Sequence, residues 1–536
     1  MTPLLLPLIL NAPALGFPTG AYPDCAEDNL AACPPELGNW RHLSWIPEGS
    51  KDTVRASETA AGVSADKAFR LTTGSWEVRV AILDSGIFWH EGQLVAKTLL
   101  NRDELPQPED ASGALVTDWD LDGNGIFNTY DYAEDARVSL DAGIDRADSM
   151  LDPSDLIYSF SDGVDDDGNG YVDDIAGWDF FDGDNDPYAR LHALMADHGT
   201  GVMKEAVAGA DDGGDIGTCP NCALIPVRVG DSFITNGDRA GMAIAYATDR
   251  GANVIGMAIG ALSHPSFARD AVAYADSKGV VLVGAAGDEN AYHHNFPAAE
   301  GPILYVHSIR GNNQNEDSGT YSYFNIWNCN NFGPRLDLVA SSNACATGAV
   351  AMITGAAGLV ISAGLENGVD LTPDQVKALL RNQADDVNLS VAEQEEANAY
   401  PSHEGWDPFY GYGRINLGKA VQAVFDGDLP PEASITSPRW FAWERGTVAI
   451  EGHVAAADGV DSWVLELGIG DDPSDWDEIG SGNGAFDGLL GEINTDPFSA
   501  HVFDDLSVAF EVEDRLARAH EALLTTRLTV TDNEGR

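Results

Sequence analysis

Short apolar, β-branched runs alternate with helical patterns through the middle of this 536-residue chain. The sequence predicts a strand that ends at Asp84 and further strands over 223–229, 252–260 and 279–285, with helices between them. Strands that alternate with helices in this way are typical of a parallel sheet covered by helices on its faces. The alternation therefore predicts an α/β protein whose functional side chains follow the carboxyl ends of the strands.

Changes in composition divide the chain into parts. Residues 1–60 begin with an apolar run and are predicted to be a signal-like leader. Residues 62–427 carry the α/β pattern, interrupted by an acidic insertion at 103–197. After two consecutive prolines, short alternating runs over 431–536 predict a β-sandwich of the immunoglobulin or fibronectin type.

The net charge of −57 limits the partners that this chain can have. Such a charge would repel the phosphate backbone, so it argues against a nucleic-acid-binding protein. It fits either a solvated acidic surface or carboxylates gathered to hold cations. No apolar run approaches the roughly 18–20 residues that a membrane-spanning helix needs, so we expect no membrane span.

Three segments carry the residue types of a nucleophilic triad. Asp84 lies in Val-Ala-Ile-Leu-Asp-Ser-Gly-Ile at the end of a β-branched run, His198 lies in Asp-His-Gly-Thr-Gly-Val, and a Gly/Ala-rich segment spans 345–359. In this order they resemble the subtilisin-like serine proteases, or subtilases, whose triad runs Asp, His, Ser. The resemblance implies a three-layer subtilisin-like domain and an endopeptidase that cleaves a polypeptide substrate through an acyl-enzyme. We expect the chain to act as a monomer.

The resemblance leaves two registers open for the nucleophile. Anchoring on Gly355-Ala356-Ala357 places Thr347 at the serine position, and this register matches more of the helix. Anchoring on Ala346-Thr347-Gly348 places Ala344 there instead, which would leave no nucleophile. Threonine keeps a hydroxyl, but its methyl group restricts χ1 and crowds the attack. Because an internal threonine has no α-amine to act as its base, His198 would have to take its proton.

The segment Val280–Asn290 resembles the subtilase strand that leads to the oxyanion asparagine, with Asp288 in its place. An ionised aspartate cannot donate a hydrogen bond to the oxyanion, whereas a protonated one can. Two functions therefore remain open. The first is a slow endopeptidase, and the second is a catalytically inactive relative that acts as a binding or structural protein.

The acidic insertion contains two patterns of an EF-hand-type calcium loop, with oxygen-bearing residues at alternating positions around a glycine. The second loop has Ala176 at position 12, where Asp174 is an alternative ligand. Solvated Asp/Gly turns are the competing interpretation. The predicted Ca²⁺ ligands are Asp120, Asp122, Asn124, the carbonyl of Ile126, Asn128 and Asp131 in the first loop, and Asp165, Asp167, Asn169, the carbonyl of Tyr171 and Asp173 in the second.

The cysteines occur as pairs that are close in sequence. Such pairs favour disulfides and a secreted or extracytoplasmic protein, with free buried thiols as the alternative. One pair, Cys219-Pro-Asn-Cys222, could be a redox motif, but it precedes a strand instead of opening a helix, which favours a structural disulfide. The predicted pairs are Cys25 with Cys33, Cys219 with Cys222, and Cys329 with Cys345.

Overall fold

The computed structural model describes residues 40–46, 61–140, 143–144, 150–190, 195–209, 216–261, 263–310, 325–326, 329–342, 344–397, 399–498 and 524–536. The apolar start of the leader and the predicted Cys25–Cys33 pair lie outside these residues.

The strands fall into a large, mainly parallel sheet, a two-stranded sheet and two antiparallel sheets. The strands are β1 Arg79–Asp84, β2 Trp178–Asp179, β3 Ala223–Arg228, β4 Ile234–Thr235, β5 Val254–Met257, β6 Gly260–Ala261, β7 Val281–Ala285, β8 Ile303–Arg310, β9 Asn325–Ile326, β10 Leu338–Ser341, β11 Glu432–Ser437, β12 Thr447–Ala455, β13 Val460–Ile469, β14 Asp477–Gly482, β15 Phe486–Asn494 and β16 Leu524–Asp532. The helices are α1 Ala65–Ala68, α2 Gly92–Val95, α3 Pro153–Phe160, α4 His198–Val207, α5 Gly237–Asp249, α6 Ser266–Ser277, α7 Ala346–Glu366, α8 Pro373–Asn382, α9 Val391–Ala397 and α10 Leu417–Asp426.

The large sheet has the strand order β10-β8-β7-β5-β1-β3-β2, and β9 pairs antiparallel with β8. Successive residues of β1 point to opposite faces, as in any strand. Val80 and Ile82 join the core formed with α4 and α7, whereas Ala81 and Leu83 join the core formed with α5 and α6. The sheet is therefore covered by helices on both faces, which confirms the predicted three-layer α/β fold.

Helix α7 runs through the larger of these two cores. Its Gly355 lies against Ala206 of α4, where an added Cβ would be 2.3 Å from the Ala206 carbonyl oxygen. The sequence predicts no apolar run of membrane-spanning length, but within the described part of the chain α7 is the one helix long and apolar enough to cross a membrane, and 89% of its most apolar window is buried. A helix that is buried to this extent packs in the core of the protein.

The C-terminal region forms two three-stranded antiparallel sheets, ordered β11-β12-β15 and β14-β13-β16. Residues that alternate along β12, such as Val448 and Ile450, are buried between the sheets. Trp463 and Leu465 of β13 contribute to the same core. The alternation of buried and exposed positions is what the sequence predicted for a β-sandwich.

A loop of this sandwich packs against the α/β part of the chain. Between β11 and β12, the ring of Phe441 stacks on the ring of His294 with 4.5 Å between centroids. The neighbouring Trp440 ring lies under the guanidinium of Arg335 at 5.5 Å. His294 and Arg335 follow β7 and precede β10 respectively, so the sandwich contacts two connections of the large sheet.

Candidate active site

Asp84 and His198 meet at the carboxyl end of the parallel sheet. Asp84 is the last residue of β1 and is fully buried, and His198 is the first residue of α4. His198 Nδ1 lies 2.7 Å from Asp84 Oδ1, within hydrogen-bond range. Gly199 permits this approach, because a Cβ there would lie 2.4 Å from the Gly86 carbonyl oxygen and 3.1 Å from the Asp84 Cβ.

This contact decides the protonation of the His198 ring. A carboxylate at Nδ1 favours the tautomer with the proton on Nδ1, which leaves Nε2 able to accept a proton. Burial lowers the pKa of His198, but the charges of Asp84 and Asp288 together outweigh it, so the pKa is raised above its ordinary 6.5. His198 therefore holds its proton more tightly than a free histidine does.

Helix α7 packs against α4, which begins at His198, and Thr347 is the second residue of α7. The side chain is largely buried, with 6% of the residue exposed. Ala344, the position of the alternative register, is exposed and precedes the helix. Its carbonyl accepts a hydrogen bond from Ser308 Oγ at 2.7 Å, and its N–H donates to Ser342 Oγ at 3.0 Å. These bonds fix the turn that leads into the helix.

Asp288 follows β7 and reaches the start of α7. Its Oδ1 accepts a hydrogen bond from the N–H of Ala346, the residue before Thr347, at 3.1 Å. Burial raises the pKa of Asp288 to about 6, against the opposing effects of the Ala346 N–H and the charge of His198. The carboxyl thus occupies the first turn of the helix, and its protonation changes near neutral pH.

The next residue, Glu289, was not among the predicted site residues. Asn295 and Asn331 donate side-chain hydrogen bonds to its carboxylate, that of Asn295 at 2.9 Å. Burial would raise the pKa of Glu289, but these amide donors hold it below its ordinary value. A fixed negative charge therefore lies next to Asp288, and it could have been noticed from its position in Gly-Asp-Glu-Asn.

The profile of the Subtilase family matches residues 76–413, which include all four proposed catalytic positions. The chain belongs to the subtilase family. Family membership places it among serine-endopeptidase-type hydrolases, and this is what the order of the Asp84, His198 and Thr347 segments predicted.

Similar proteins come from bacteria and archaea. Thermitase of Thermoactinomyces vulgaris is 29% identical over 262 residues, which cover 46% of this chain and 81% of thermitase. The halolysin-like extracellular serine protease Nep of Natrialba magadii is 28% identical over 324 residues, or 57% of this chain and 52% of that protein. A thermophilic serine proteinase of Bacillus sp. (strain AK1) is 30% identical over 253 residues, which cover 46% of this chain and 56% of that protein. The chain thus spans about half the length of the last two.

Two of the predicted disulfides are present in this subtilase. Cys219 and Cys222 have Cα atoms 5.4 Å apart, and Cys329 and Cys345 have Cα atoms 6.0 Å apart. Cys345 is the residue that precedes α7. The carbonyl of Cys329 also accepts a hydrogen bond from the N–H of Asn290 at 3.3 Å. The second disulfide therefore links the start of α7 to the segment that carries Asp288.

The first acidic loop brings together three of its six predicted ligands. Carboxylate oxygens of Asp120, Asp122 and Asp131 all lie within 4.8 Å of one another. Asn124 and Asn128 instead use their side-chain oxygens on backbone N–H groups of the loop, at 2.7 and 2.8 Å. The carbonyl of Ile126, the remaining predicted ligand, belongs to the same loop.

The second loop brings together two predicted ligands, Asp165 and Asp167, with Glu104 from outside the loop. Asn169 accepts the N–H of Tyr171 at 2.7 Å, as its counterpart does in the first loop. Asp173 turns both oxygens to the N–H groups of residues 162 and 163, at 3.0 and 2.9 Å. Glu104 could not be found by spacing, because it lies about sixty residues before the loop.

Proposed function

We propose that this chain is a secreted, calcium-stabilised subtilase that cleaves polypeptides, with Thr347 as its nucleophile. The observation that supports this best is the 2.7 Å contact between Asp84 and His198 beside the start of α7. A buried carboxylate bonded to Nδ1 of a histidine is what a base needs in order to take a proton at Nε2. The arrangement retains the base and the carboxylate that orients it, whereas Thr347 and Asp288 differ from the family pattern.

The reaction would run in two halves. Thr347 Oγ1 attacks the scissile carbonyl carbon and gives its proton to His198 Nε2, and Asp84 stabilises the imidazolium that forms. The tetrahedral intermediate then loses the amine, which takes the proton from His198 as the C–N bond breaks, and an ester on Thr347 remains. Water attacks this ester with His198 as base, releasing a carboxylic acid and restoring the threonine.

Asp288 would limit the rate of this reaction. The oxyanion needs a hydrogen-bond donor, and losing one such donor costs about 10² to 10³ in turnover. Asp288 can donate only when protonated, below its pKa of about 6, whereas His198 must be neutral and has a pKa above 6.5.

A second candidate function is a subtilase scaffold that no longer turns over and acts by binding. One observation favours it: Asp288 accepts a hydrogen bond from Ala346 and so acts as an acceptor at the start of α7, where the reaction would need a donor. A permanent acceptor there would oppose the negative charge that develops on the substrate oxygen.

Labelling with a fluorophosphonate probe, together with casein hydrolysis, separates these functions. In an endopeptidase, the wild type is labelled and cleaves, and Thr347→Ala abolishes both. In an inactive scaffold, the wild type and Thr347→Ala are equally inert, whereas Thr347→Ser gains labelling. Ala344→Ser is the matched control for register. If it gains labelling and Thr347→Ser does not, the nucleophile assignment is wrong.

Calcium and secretion are supported by separate observations. The carboxylates of Asp120, Asp122 and Asp131 converge on one space, and oxygen ligands of this kind are those that Ca²⁺ takes. The two disulfides favour an oxidising compartment. Isolation of the mature protein from culture medium, with bound calcium measured by atomic absorption, tests both.

A further inference from the structure

The second acidic loop lacks the last ligand of its pattern. Ala176 stands at position 12, and the alternative, Asp174, has its oxygens engaged elsewhere. Asp174 Oδ1 accepts from Asn101 Nδ2 at 2.6 Å, and Oδ2 accepts from the Tyr246 hydroxyl at 2.8 Å. Arg250 lies 3.6 Å from the same Oδ2 and balances its charge. Asp174 therefore belongs to a buried polar network that is already satisfied.

Glu104 supplies a carboxylate at the loop from the other side. It ends a short 3₁₀ turn, Arg102–Glu104, and is 4% exposed. Its Oε1 accepts the N–H groups of Asp166 and Asp167 at 2.9 and 3.1 Å. Its Oε2 is buried and has no hydrogen-bond partner. The side chain is thus held in place by one oxygen, while the other is left without a donor.

The carboxylate of Glu104 belongs to a cluster of negative charge. Carboxylate oxygens of Glu104, Asp165 and Asp167 all lie within 4.8 Å of one another. A buried acceptor without a donor destabilises the folded state, and more so when it is charged. Across the described ranges, no lysine or arginine forms an ion pair with any of the three. A bound cation would satisfy the oxygen and remove the repulsion together.

We propose that Glu104 is the ligand that completes a calcium site at the second loop, in place of the missing residue 12; this inference rests on the proposed calcium binding. Ca²⁺ takes carboxylate and carbonyl oxygens at about 2.3–2.6 Å, so two ligands on opposite sides of the ion lie up to about 5 Å apart. The 4.8 Å limit of the cluster falls within this span.

The site would join two parts of the chain that are distant in sequence. Next to Glu104, the N–H of Asn101 donates to the carbonyl of Ile175 at 2.7 Å, and its side chain donates to Asp167 at 2.9 Å. Leu99 in turn pairs with Leu224 of β3. An ion held by Glu104 and Asp165 therefore fastens the second loop to the start of the acidic insertion, next to the residues that pair with the central sheet.

Calcium binding to the metal-stripped full chain tests the assignment. Glu104→Gln keeps the size of the side chain and removes its charge, and Asp120→Asn is the matched change in the first loop. By calorimetric titration we expect two ions in the wild type and the loss of one, or at least tenfold weaker binding at one site, in each variant. Combining Glu104→Gln with Asp165→Asn should remove no further ion, because both changes act on the same site.

The titration distinguishes an error in the proposed calcium binding from an error in the assignment of Glu104 as a ligand. If the wild type binds no calcium, the proposed calcium stabilisation is wrong. If the wild type binds two ions and Glu104→Gln binds both with unchanged affinity, only the assignment of Glu104 is wrong. Should Glu104→Gln not fold, Glu104→Asp keeps the charge and shortens the side chain, so it should still bind but more weakly; unchanged affinity in that variant would also overturn the assignment. Displacement of the second ion by equimolar Mg²⁺ would overturn calcium as the metal.

Discussion

Replacing Asp288 by asparagine should turn a donor that depends on pH into one that does not. Asparagine keeps an oxygen for the Ala346 N–H, to which Asp288 is bonded at 3.1 Å, and adds an amide that can donate to the oxyanion. At pH 8, two units above the Asp288 pKa of about 6, only about one aspartate in a hundred is protonated. The substitution should therefore raise kcat/KM about 100-fold at pH 8, equivalent to about 2.7 kcal/mol.

The gain should disappear in acid. At pH 5 about nine in ten Asp288 side chains are protonated, so the ratio of variant to parent should be close to 1 and should climb about tenfold per unit above pH 6. The charge of Asp288 also raises the pKa of His198, so its removal should move the acid limb of the profile to lower pH. Both effects should extend the activity of the variant over a wider range of pH.

The assay is hydrolysis of a chromogenic peptide from pH 5 to 9, carried out with Thr347→Ser in both proteins so that the rates are measurable. Asp197→Asn is the control, since Asp197 is exposed and its charge also raises the pKa of His198. The control should shift the acid limb without the gain above pH 6. A ratio that stays constant from pH 5 to 8, or a slower variant at pH 8, would refute the assignment of Asp288 to the oxyanion.

Three other changes probe the nucleophile, the metal and the disulfides. Thr347→Ser alone should raise peptide hydrolysis by about tenfold or more, since it removes the methyl group that crowds the hydroxyl; an unchanged rate argues against this nucleophile. Excess chelator should lower Tm by about 5 °C, because an ion at 100 times its Kd adds about 2.7 kcal/mol. Asp120→Ala should reduce that shift in Tm. An identical melting curve of the wild type with and without chelator would contradict stabilisation by calcium. Replacing both Cys329 and Cys345 by serine should lower kcat at nearly constant KM. The same change at Cys219 and Cys222 should lower Tm with little effect on kcat. Equal effects of the two changes on kcat would count against a role of the Cys329–Cys345 disulfide in positioning the start of α7.

The elements of the α/β fold could be predicted because each rests on local sequence. Between Arg79 and Asp84, β1 reads Val-Ala-Ile-Leu, an apolar run that is buried at every position, as a strand covered on both faces requires. Helix α8 begins at Pro373 after Thr372, whose hydroxyl accepts the N–H of Gln375 at 3.1 Å, as its capping sequence indicates. Such signals lie within a few residues of the element that they define.

The site was predictable only in part, because its contacts join residues that are distant in sequence. The order of the Asp84 and His198 segments sufficed to expect their meeting, since both follow a known family pattern. Nothing in the sequence indicated that Asp288 would bond to Ala346, or that Glu104 would reach the second loop. Spacing gives the ligands that one loop can supply, whereas the fold decides which distant side chain completes the set.

The stacking of Phe441 on His294 bears on how this protein should be produced in the laboratory. A shortened chain that stops at residue 427, where the α/β pattern ends, would expose the His294 ring and the guanidinium of Arg335 to water. Aromatic contacts of this kind contribute about 0.5–1.5 kcal/mol beyond the area that they bury. Since His294 lies six residues after Asp288, the loosened segment would be the one that carries the proposed oxyanion residue. Expression of the full chain is therefore the sound choice for kinetic work, and a shortened chain with low activity would say little about its threonine.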